Sequence, residues 1–275
     1  MPFVERGTYR LHYEITGPEG APPLLLVMGM AFSSRAWDTL PASLADRFRV
    51  MVFDNRGTGR STRPRDFFRM GDLADDAAAV LDAAGVGRAY VFGVSLGGMI
   101  AMELALRHPE RVEALALGAT FAGYLKSAKP AWRVTRGLFL SAVLGRSSAE
   151  HVAPFLVSDA CWAGEKERFA SWLAGVERGP PGTVLRQMAA AARHAAEGRL
   201  ARLGVRTLVI TGGGDRLIPP ANSAALAKMI PGAELVEIDG AGHCFPFERL
   251  DETKGALVRF FLEGARGPHP PAPSP

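Results

Sequence analysis

Short apolar runs alternate along the chain with longer segments of helical periodicity. Residues 8–16 alternate apolar and polar side chains, which is typical of a half-buried strand at a sheet edge. Residues 24–28 are continuously apolar, which favours a strand that is covered on both faces. Further strand-like runs lie at 48–53, 88–92, 112–117, 205–211 and 233–238. Helices are predicted over 37–46, 71–84, 96–107, 222–229 and 246–263. Repeated units of strand and helix indicate an α/β fold with a mostly parallel central sheet flanked by helices.

The alternation is interrupted between residues 121 and 200. This segment contains three of the four tryptophans and shows helical periods without a convincing buried strand. We therefore predict an α/β core in two parts, 1–120 and 201–265, with 121–200 inserted as a helical cap. The Pro-rich tail, 266–275, is expected to be unstructured.

Composition and charge exclude several classes of protein. Of the 275 residues, 48% are hydrophobic and 22% are charged, as in ordinary soluble globular proteins, and the formal net charge is +4. The chain has no block of consecutive Lys and Arg, so a nucleic acid is not expected as a partner. No apolar run approaches the roughly 20 residues of a membrane helix. Two distant cysteines, Cys161 and Cys244, match neither a disulfide framework nor a metal-binding spacing. We expect a cytoplasmic protein without a metal or other cofactor, either monomeric or homodimeric.

The stretch VFGVSLGGM places a serine between two glycines where a predicted strand becomes a helix. Gly93 and Gly97 leave room for a tight turn, so Ser95 is expected to stand exposed at the sheet edge where ligands bind in parallel α/β folds. The N-terminus of the following helix directs free N–H groups at the same point. This G-x-S-x-G pattern predicts a nucleophile elbow. The alternative is a glycine-rich turn whose serine caps the helix.

A serine nucleophile needs a base, and the base needs an acid that orients it. Among the six histidines, His243 follows the end of the predicted strand 233–238 through the flexible loop DGAGH. The others lie in the first strand, at a helix end, in the predicted cap and in the tail: His12, His108, His151, His194 and His269. We therefore predict His243 as the base.

The orienting acid should also follow a strand end, and Asp215 follows the strand 205–211 in the sequence TGGGDRLIPP. Two other aspartates are rivals by position. Asp54 opens the turn DNRGTGRS, where a structural role suits it better, and Asp239 is very close to His243 in the chain. We therefore predict that Asp215 orients His243.

The order Ser95, Asp215, His243, together with the sequences DNRGTGRS, GVSLGG and GAGHCFPFE, resembles the α/β-hydrolase fold family over roughly residues 5–265. The resemblance implies that the backbone N–H groups of Met30 and Leu96 form an oxyanion hole.

This chain departs from the family at one position. Met28 stands where family members usually carry a histidine, while Gly29 of the same pair is kept. The donors of an oxyanion hole are main-chain groups, so the change need not abolish it. Together with FDNRGTGRST, the Met-Gly pair is similar to the aclacinomycin methylesterase branch of the family.

The resemblance implies a serine hydrolase that cleaves a small carboxylic ester or lactone through an acyl-enzyme. Cleavage of a C–C bond, opening of an enol-lactone and perhydrolysis use the same three residues and stay open as alternatives. A non-catalytic binding protein of this fold is less compatible with an intact Ser-His-Asp set. A dinucleotide-binding fold is not supported, because no G-x-G-x-x-G follows the first apolar strand.

The sequence gives less information about the substrate. Trp132, Phe155 and Trp162, together with Phe139, Phe169 and Trp172, are candidates for lining an apolar pocket, with packing of the cap as the alternative. Met28 and Met99, near the elbow in sequence, are further candidates, with simple apolar packing as the alternative. Residues 121–200 contain eleven Lys and Arg against six Asp and Glu. This positive excess would attract an anionic substrate, although a solvated basic helix face explains it as well.

Overall fold

The computed structural model describes residues 2–134, 136–137 and 153–264. Eight strands form one sheet in the order β1-β2-β4-β3-β5-β6-β7-β8. The strands are β1 Phe3–Arg6, β2 Tyr9–Thr16, β3 Pro23–Val27, β4 Arg49–Phe53, β5 Ala89–Val94, β6 Val112–Gly118, β7 Thr207–Gly212 and β8 Glu234–Ile238. The α-helices are α1 Leu40–Leu44, α2 Met70–Ala83, α3 Leu96–Arg107, α4 Ala153–Leu156, α5 Asp159–Gly164, α6 Lys166–Gly175, α7 Pro181–Ala192, α8 Ala221–Met229, α9 Phe245–Glu248 and α10 Leu250–Val258.

The sheet is mostly parallel, as the sequence predicts. Among the strands named above, the pairs β1/β2 and β2/β4 are antiparallel, and β4, β3, β5, β6, β7 and β8 follow one another in parallel. The prediction that residues 8–16 form the sheet edge is wrong, because β1 pairs with β2 and covers it. β1 has only four residues, too few to give a recognisable alternation of its own.

The core lies on both faces of the sheet. In β3, Leu25 and Val27 pack with α2 and α3 on one face, while Leu24 and Leu26 pack with α1 and α10 on the other. Side chains alternate between faces along a strand, so a strand buried on both sides must be apolar at every position. This is why the run at 24–28 shows no polar alternation.

Two predicted helices are interrupted. The helix predicted over 37–46 is a 3-10 helix, Ser34–Trp37, followed by α1, and Asp38 between them has a positive φ of 52°. The helix predicted over 246–263 is divided into α9, α10 and a π-helical turn, Arg259–Glu263. Arg249, with φ −134° and ψ 63°, breaks it after α9.

Helices α4 to α7 lie between β6 and β7. The described residues of this segment form no named strand and pair with the rest of the chain through two isolated bridges, Phe32 with Arg178 and Gly123 with Ala195. Part of the predicted cap, 138–152, and the predicted tail, 266–275, lie outside the described residues. No helix in the described part of the chain has the length and apolar character to cross a membrane.

Candidate active site

Ser95 stands on a strained turn between β5 and α3. Its backbone has φ 56° and ψ −121°, a conformation that L-residues rarely adopt. The turn is possible because its neighbours lack side chains: a Cβ on Gly93 would lie 2.2 Å from the Gly97 carbonyl oxygen, and one on Gly97 would lie 2.0 Å from that of Val27. The Ser95 N–H donates to the carbonyl of Gly118 over 2.8 Å. The turn therefore fixes Ser95 at the carboxyl end of β5.

The N-terminus of α3 begins directly after Ser95. The N–H groups of Gly98 and Met99 donate to the Ser95 carbonyl, and the Leu96 N–H precedes them at the open end of the helix. The Ser95 hydroxyl makes no capping bond to this helix in the described structure. The geometry does not favour the helix-cap alternative for Ser95.

Asp215 and His243 are hydrogen-bonded at the ends of β7 and β8. His243 Nδ1 lies 2.8 Å from Asp215 Oδ2. Asp215 Oδ1 accepts from the N–H groups of Leu217 and Ile218, each over 2.8 Å. The Asp215 side chain is fully buried, and that of His243 is nearly so. Because a carboxylate only accepts, Nδ1 carries the proton and Nε2 is left as the acceptor.

The loops that carry these two residues are joined by their backbones. Gly213 N–H donates to Ile238 and Gly214 N–H donates to Ala241. A Cβ on Gly212 would lie 2.2 Å from the Gly242 carbonyl oxygen, so the two loops approach at backbone distance. This contact brings Asp215 to His243.

Glu248 also holds the histidine loop, and the sequence analysis missed it. Its buried carboxylate accepts from the N–H of Gly242 over 2.8 Å and from the N–H of Ser158 over 3.0 Å. Both partners are main-chain groups, which leave no signal in the side-chain sequence.

Ser95 and His243 lie at the same edge of the sheet, because β5, β6, β7 and β8 are consecutive parallel strands. No hydrogen bond joins the Ser95 hydroxyl to His243 in the described part of the chain. Catalytic hydrogen bonds are often long before substrate binds and shorten in the complex with substrate.

The loop after β3 lies against Ser95. A Cβ on Gly29 would be 3.2 Å from Ser95 Cβ and 3.8 Å from Ser95 Oγ. The half-buried Met30 follows Gly29 in the chain, and the buried Met28 precedes it. The predicted oxyanion donors, at Met30 and Leu96, therefore come from two segments that both adjoin Ser95.

The other carboxylates and histidines have other partners. Asp54 is buried and accepts from the N–H and hydroxyl of Ser34 and from the N–H of Arg60, which is a structural role in its turn. Asp239 is exposed. His12 is buried beside Asp54, His108 bonds Asp75, and His194 lies against Glu103. His151 and His269 lie outside the described residues.

The five pocket candidates have different surroundings. Met28 and Met99 are buried, whereas Trp132 is 65% exposed. Phe155 lies beside Arg216, and Trp162 packs on Phe169. Phe139 lies outside the described residues.

A cavity of about 650 Å³ lies between β2, α1 and α6. Its lining includes Trp172 and Phe247, but neither Ser95 nor any of the five candidates. Trp172 and Phe169 also stack in one aromatic cluster, with ring centroids 5.2 Å apart, which is the packing alternative for both.

The two thiols are not activated. Burial raises the pKa of Cys244 above its usual range and that of Cys161 to about 11. Both stay protonated at neutral pH, so Cys244 is not a competing nucleophile beside His243. Within the described ranges, no group of three or more His, Cys, Asp or Glu side chains is placed to hold a metal ion.

Comparison with known proteins gives consistent results. A family model described as alpha/beta hydrolase fold matches residues 22–250. RutD of Azorhizobium caulinodans, whose assignment as a carbamate hydrolase is provisional, is 33% identical over 94% of this chain and 98% of its own. The crystal structure of the enol-lactonase from Burkholderia xenovorans LB400 superposes with a TM-score of 0.85 at 27% identity, over 94% of this chain and 99% of that one. A thermophilic esterase from Thermogutta terrifontis gives a TM-score of 0.83 at 27% identity, over 96% and 97%.

Proposed function

Because the chain belongs to the α/β-hydrolase fold family, we propose that it is a serine hydrolase that cleaves small carboxylic esters or lactones. Its fold and the names of its relatives support hydrolase activity in general. The observation that carries the finer proposal is the bond between His243 and the buried Asp215, at the sheet edge where the elbow holds Ser95.

The proposed reaction is acyl transfer in two stages. His243 Nε2 takes the proton of Ser95 as its Oγ attacks the carbonyl carbon. The N–H groups of Met30 and Leu96 stabilise the tetrahedral oxyanion, and His243 then gives its proton to the leaving alkoxide. A water molecule, deprotonated by His243, attacks the acyl-enzyme; the bond between the acyl carbon and Ser95 Oγ breaks, His243 returns its proton to Oγ, and the acid is released. Asp215 holds the imidazole in the required tautomer and stabilises its cation.

The substrate class is supported by two neighbours of high structural similarity. The enol-lactonase and the thermophilic esterase both act, by their descriptions, on an acyl carbon bonded to oxygen. The proposed site, with its seryl hydroxyl, its imidazole and two backbone donors, is suited to attack on such an acyl carbon. A lactone would give an acyl-enzyme whose leaving alcohol stays attached.

Carbamate hydrolysis is the second candidate, and the similarity to RutD favours it. A carbamate carries a carbonyl that Ser95 could attack in the same way. Its nitrogen donates electrons to that carbonyl, so attack is slower and depends more on the oxyanion donors. Because one site would act on both kinds of substrate, the preferred one is the one with the higher kcat/KM.

Replacing the nucleophile tests the proposal. We expect Ser95→Ala to lower kcat on the order of 10⁶-fold, as in other triads, with thermal stability preserved. Wild-type protein should be labelled at Ser95 by a fluorophosphonate, as found by mass spectrometry, and Ser95→Ala should not be. Ser43→Ala, a serine on α1, is the control and should behave as wild type. Substantial hydrolysis by Ser95→Ala would contradict the assignment, and a protein that is neither labelled nor active would be a binding protein.

A substrate panel separates the two candidates. p-Nitrophenyl esters, enol-lactones and N-unsubstituted carbamates would be compared by kcat/KM, each with Ser95→Ala as the blank. Higher kcat/KM for esters and lactones supports the first candidate, and higher kcat/KM for carbamates supports the second.

A further inference from the structure

Two buried carboxamides bind the backbone on either side of the predicted oxyanion donor. Asn55 Nδ2 donates to the carbonyl of Met28 over 2.9 Å, and the N–H of Ala31 donates to Gln187 Oε1 over 2.8 Å. The N–H of Met30 belongs to the peptide between these two points. Its orientation is therefore set by the peptides on both sides.

The outer of these two bonds comes from the segment between β6 and β7. Gln187 lies on α7, and the carbonyl of the same Ala31 accepts from the N–H of Gly179 over 2.7 Å. The N–H of Ser33 donates to the Glu177 carbonyl over 3.0 Å. Both polar groups of the Ala31 backbone are thus bound by residues of the inserted segment.

Ala31 itself adopts a conformation that needs such support. Its φ is 71°, in the left-handed region that a residue with a side chain occupies at a cost. A residue with a side chain keeps this left-handed conformation only where surrounding contacts hold it there. The loop lies within contact distance of Ser95 at Gly29, so relaxation of Ala31 would move the Met30 N–H relative to the nucleophile.

The bond from Gln187 is not explained by packing. Gln187 is completely buried, and its Nε2 has no hydrogen-bond partner among the described residues. Burying a half-satisfied amide is unfavourable compared with an apolar side chain of the same size. Unlike an apolar side chain, Gln187 provides an oxygen that accepts the hydrogen bond of the Ala31 N–H.

We infer that Gln187 is a positioning residue of the hydrolytic site: by binding the N–H of Ala31, it holds the loop that aims the Met30 N–H at the oxyanion. The inference rests on the proposed function. It predicts that losing the acceptor lowers the rate of the chemical step without weakening the fold.

Gln187→Met keeps the length of the side chain and removes the acceptor. We expect kcat to fall by about 10- to 100-fold, as for a small misplacement of a catalytic group, with KM and Tm much less affected. The pH profile of kcat/KM should keep its shape, because His243 and Asp215 are untouched. Hydrogen exchange of a peptide spanning 29–33 should accelerate. The control is Thr183→Val, a buried change one turn earlier on α7, which should match wild type in kcat, KM, Tm, pH profile and hydrogen exchange.

A folded Gln187→Met variant with wild-type kcat would overturn the inference. A fall in kcat that accompanies a large fall in Tm would also overturn it, because the cause would then be lost packing. The same fall in kcat in Thr183→Val would lead to the same conclusion. If Gln187→Met does not fold, Gln187→Leu tests the same prediction. Failure of the proposed function is distinguished by Ser95→Ala: an active Ser95→Ala removes the mechanism, whereas an inactive one with a fully active Gln187→Met removes only this inference.

Discussion

At the scale of single residues, the partners of Asp215 determine the chemistry of His243. One carboxylate oxygen is occupied by the N–H groups of Leu217 and Ile218, and the other faces His243 Nδ1. The carboxylate therefore has one orientation. Because it is fully buried, its charge acts on the imidazole with little screening by water.

Asp215→Asn is expected to reverse the tautomer of His243. The amide oxygen would stay with the two backbone N–H groups, so its NH₂ would face Nδ1 and could not accept a proton. The imidazole would then carry its proton on Nε2 and could not take one from Ser95. We expect kcat to fall about 10⁴-fold with little change in structure, measured with the ester that the wild type prefers. Activity near the wild-type level would show that Asp215 is not the orienting acid.

The positions of Ser95, Asp215 and His243 at one sheet edge could be predicted from the sequence, because each one directly follows a strand or lies in a loop at that edge. Gln187 and Glu248 could not, because Gln187 binds the main-chain N–H of Ala31 and Glu248 binds that of Ser158, both distant in sequence. Nothing distinguishes such a glutamine on a helix from a solvated one until the contacts are known.

At the scale of elements, close contact between α3 and β3 forms the elbow. Gly97 and Gly255 are both helical glycines, but they differ in their surroundings. A Cβ at Gly97 would overlap the backbone of Val27, whereas one at Gly255 would meet nothing within 4 Å.

These two glycines give a matched pair of substitutions. We expect Gly97→Ala to destabilise the protein by about 3 kcal/mol or more, because a backbone must shift to admit the methyl group. Gly255→Ala should stabilise it by about 0.4–1 kcal/mol through lower entropy of the unfolded chain. Chemical denaturation of both variants checks this, and equal effects would mean that α3 is not tightly packed on β3.

Helices and strands were predicted correctly where apolar residues followed a single helical or strand periodicity throughout a segment. The helix predicted over 96–107 has those bounds in the structure, Leu96–Arg107. The prediction failed where the backbone breaks locally, at Asp38 and Arg249. Asp38 and Arg249 are residue types common inside helices, so the sequence pattern gave no sign of these breaks.

At the scale of the whole molecule, an ion pair between the buried Glu103 and the half-exposed Arg199 joins α3 to the segment before β7. Arg199 binds both oxygens of Glu103, with Nη1 2.9 Å from Oε2, and His194 Nδ1 lies 3.4 Å from Oε1. Burial alone would raise the pKa of Glu103, but these partners outweigh it and lower the pKa to about 2.

The Glu103 pair should make stability dependent on acid. A carboxyl whose pKa is lower in the folded state stabilises the protein above its unfolded pKa, and this contribution is lost as pH falls through the folded value. We expect Glu103→Gln to be less stable than wild type by up to about 3 kcal/mol at pH 7. The difference should shrink from about pH 5 downwards and vanish near pH 2. Denaturation curves at several pH values measure it, and a difference independent of pH would contradict this account.

The sheet also determines where the chain leaves and returns. β6 ends at Gly118, which lies in register with Ile210 of β7, so the segment between them departs and rejoins at neighbouring strands. Ser95, the proposed nucleophile, precedes this departure in the chain, and Asp215 and His243, the proposed acid and base, follow the return. Exchanging the intervening segment would therefore change which substrates reach the hydroxyl of Ser95 and leave the spacing of Ser95, Asp215 and His243 unchanged. The replacement segment would have to supply its own acceptor for the N–H of Ala31. The proposed selectivity and the proposed chemistry would then be encoded in separate parts of the chain, and the amide of Gln187 is one of the contacts that join them.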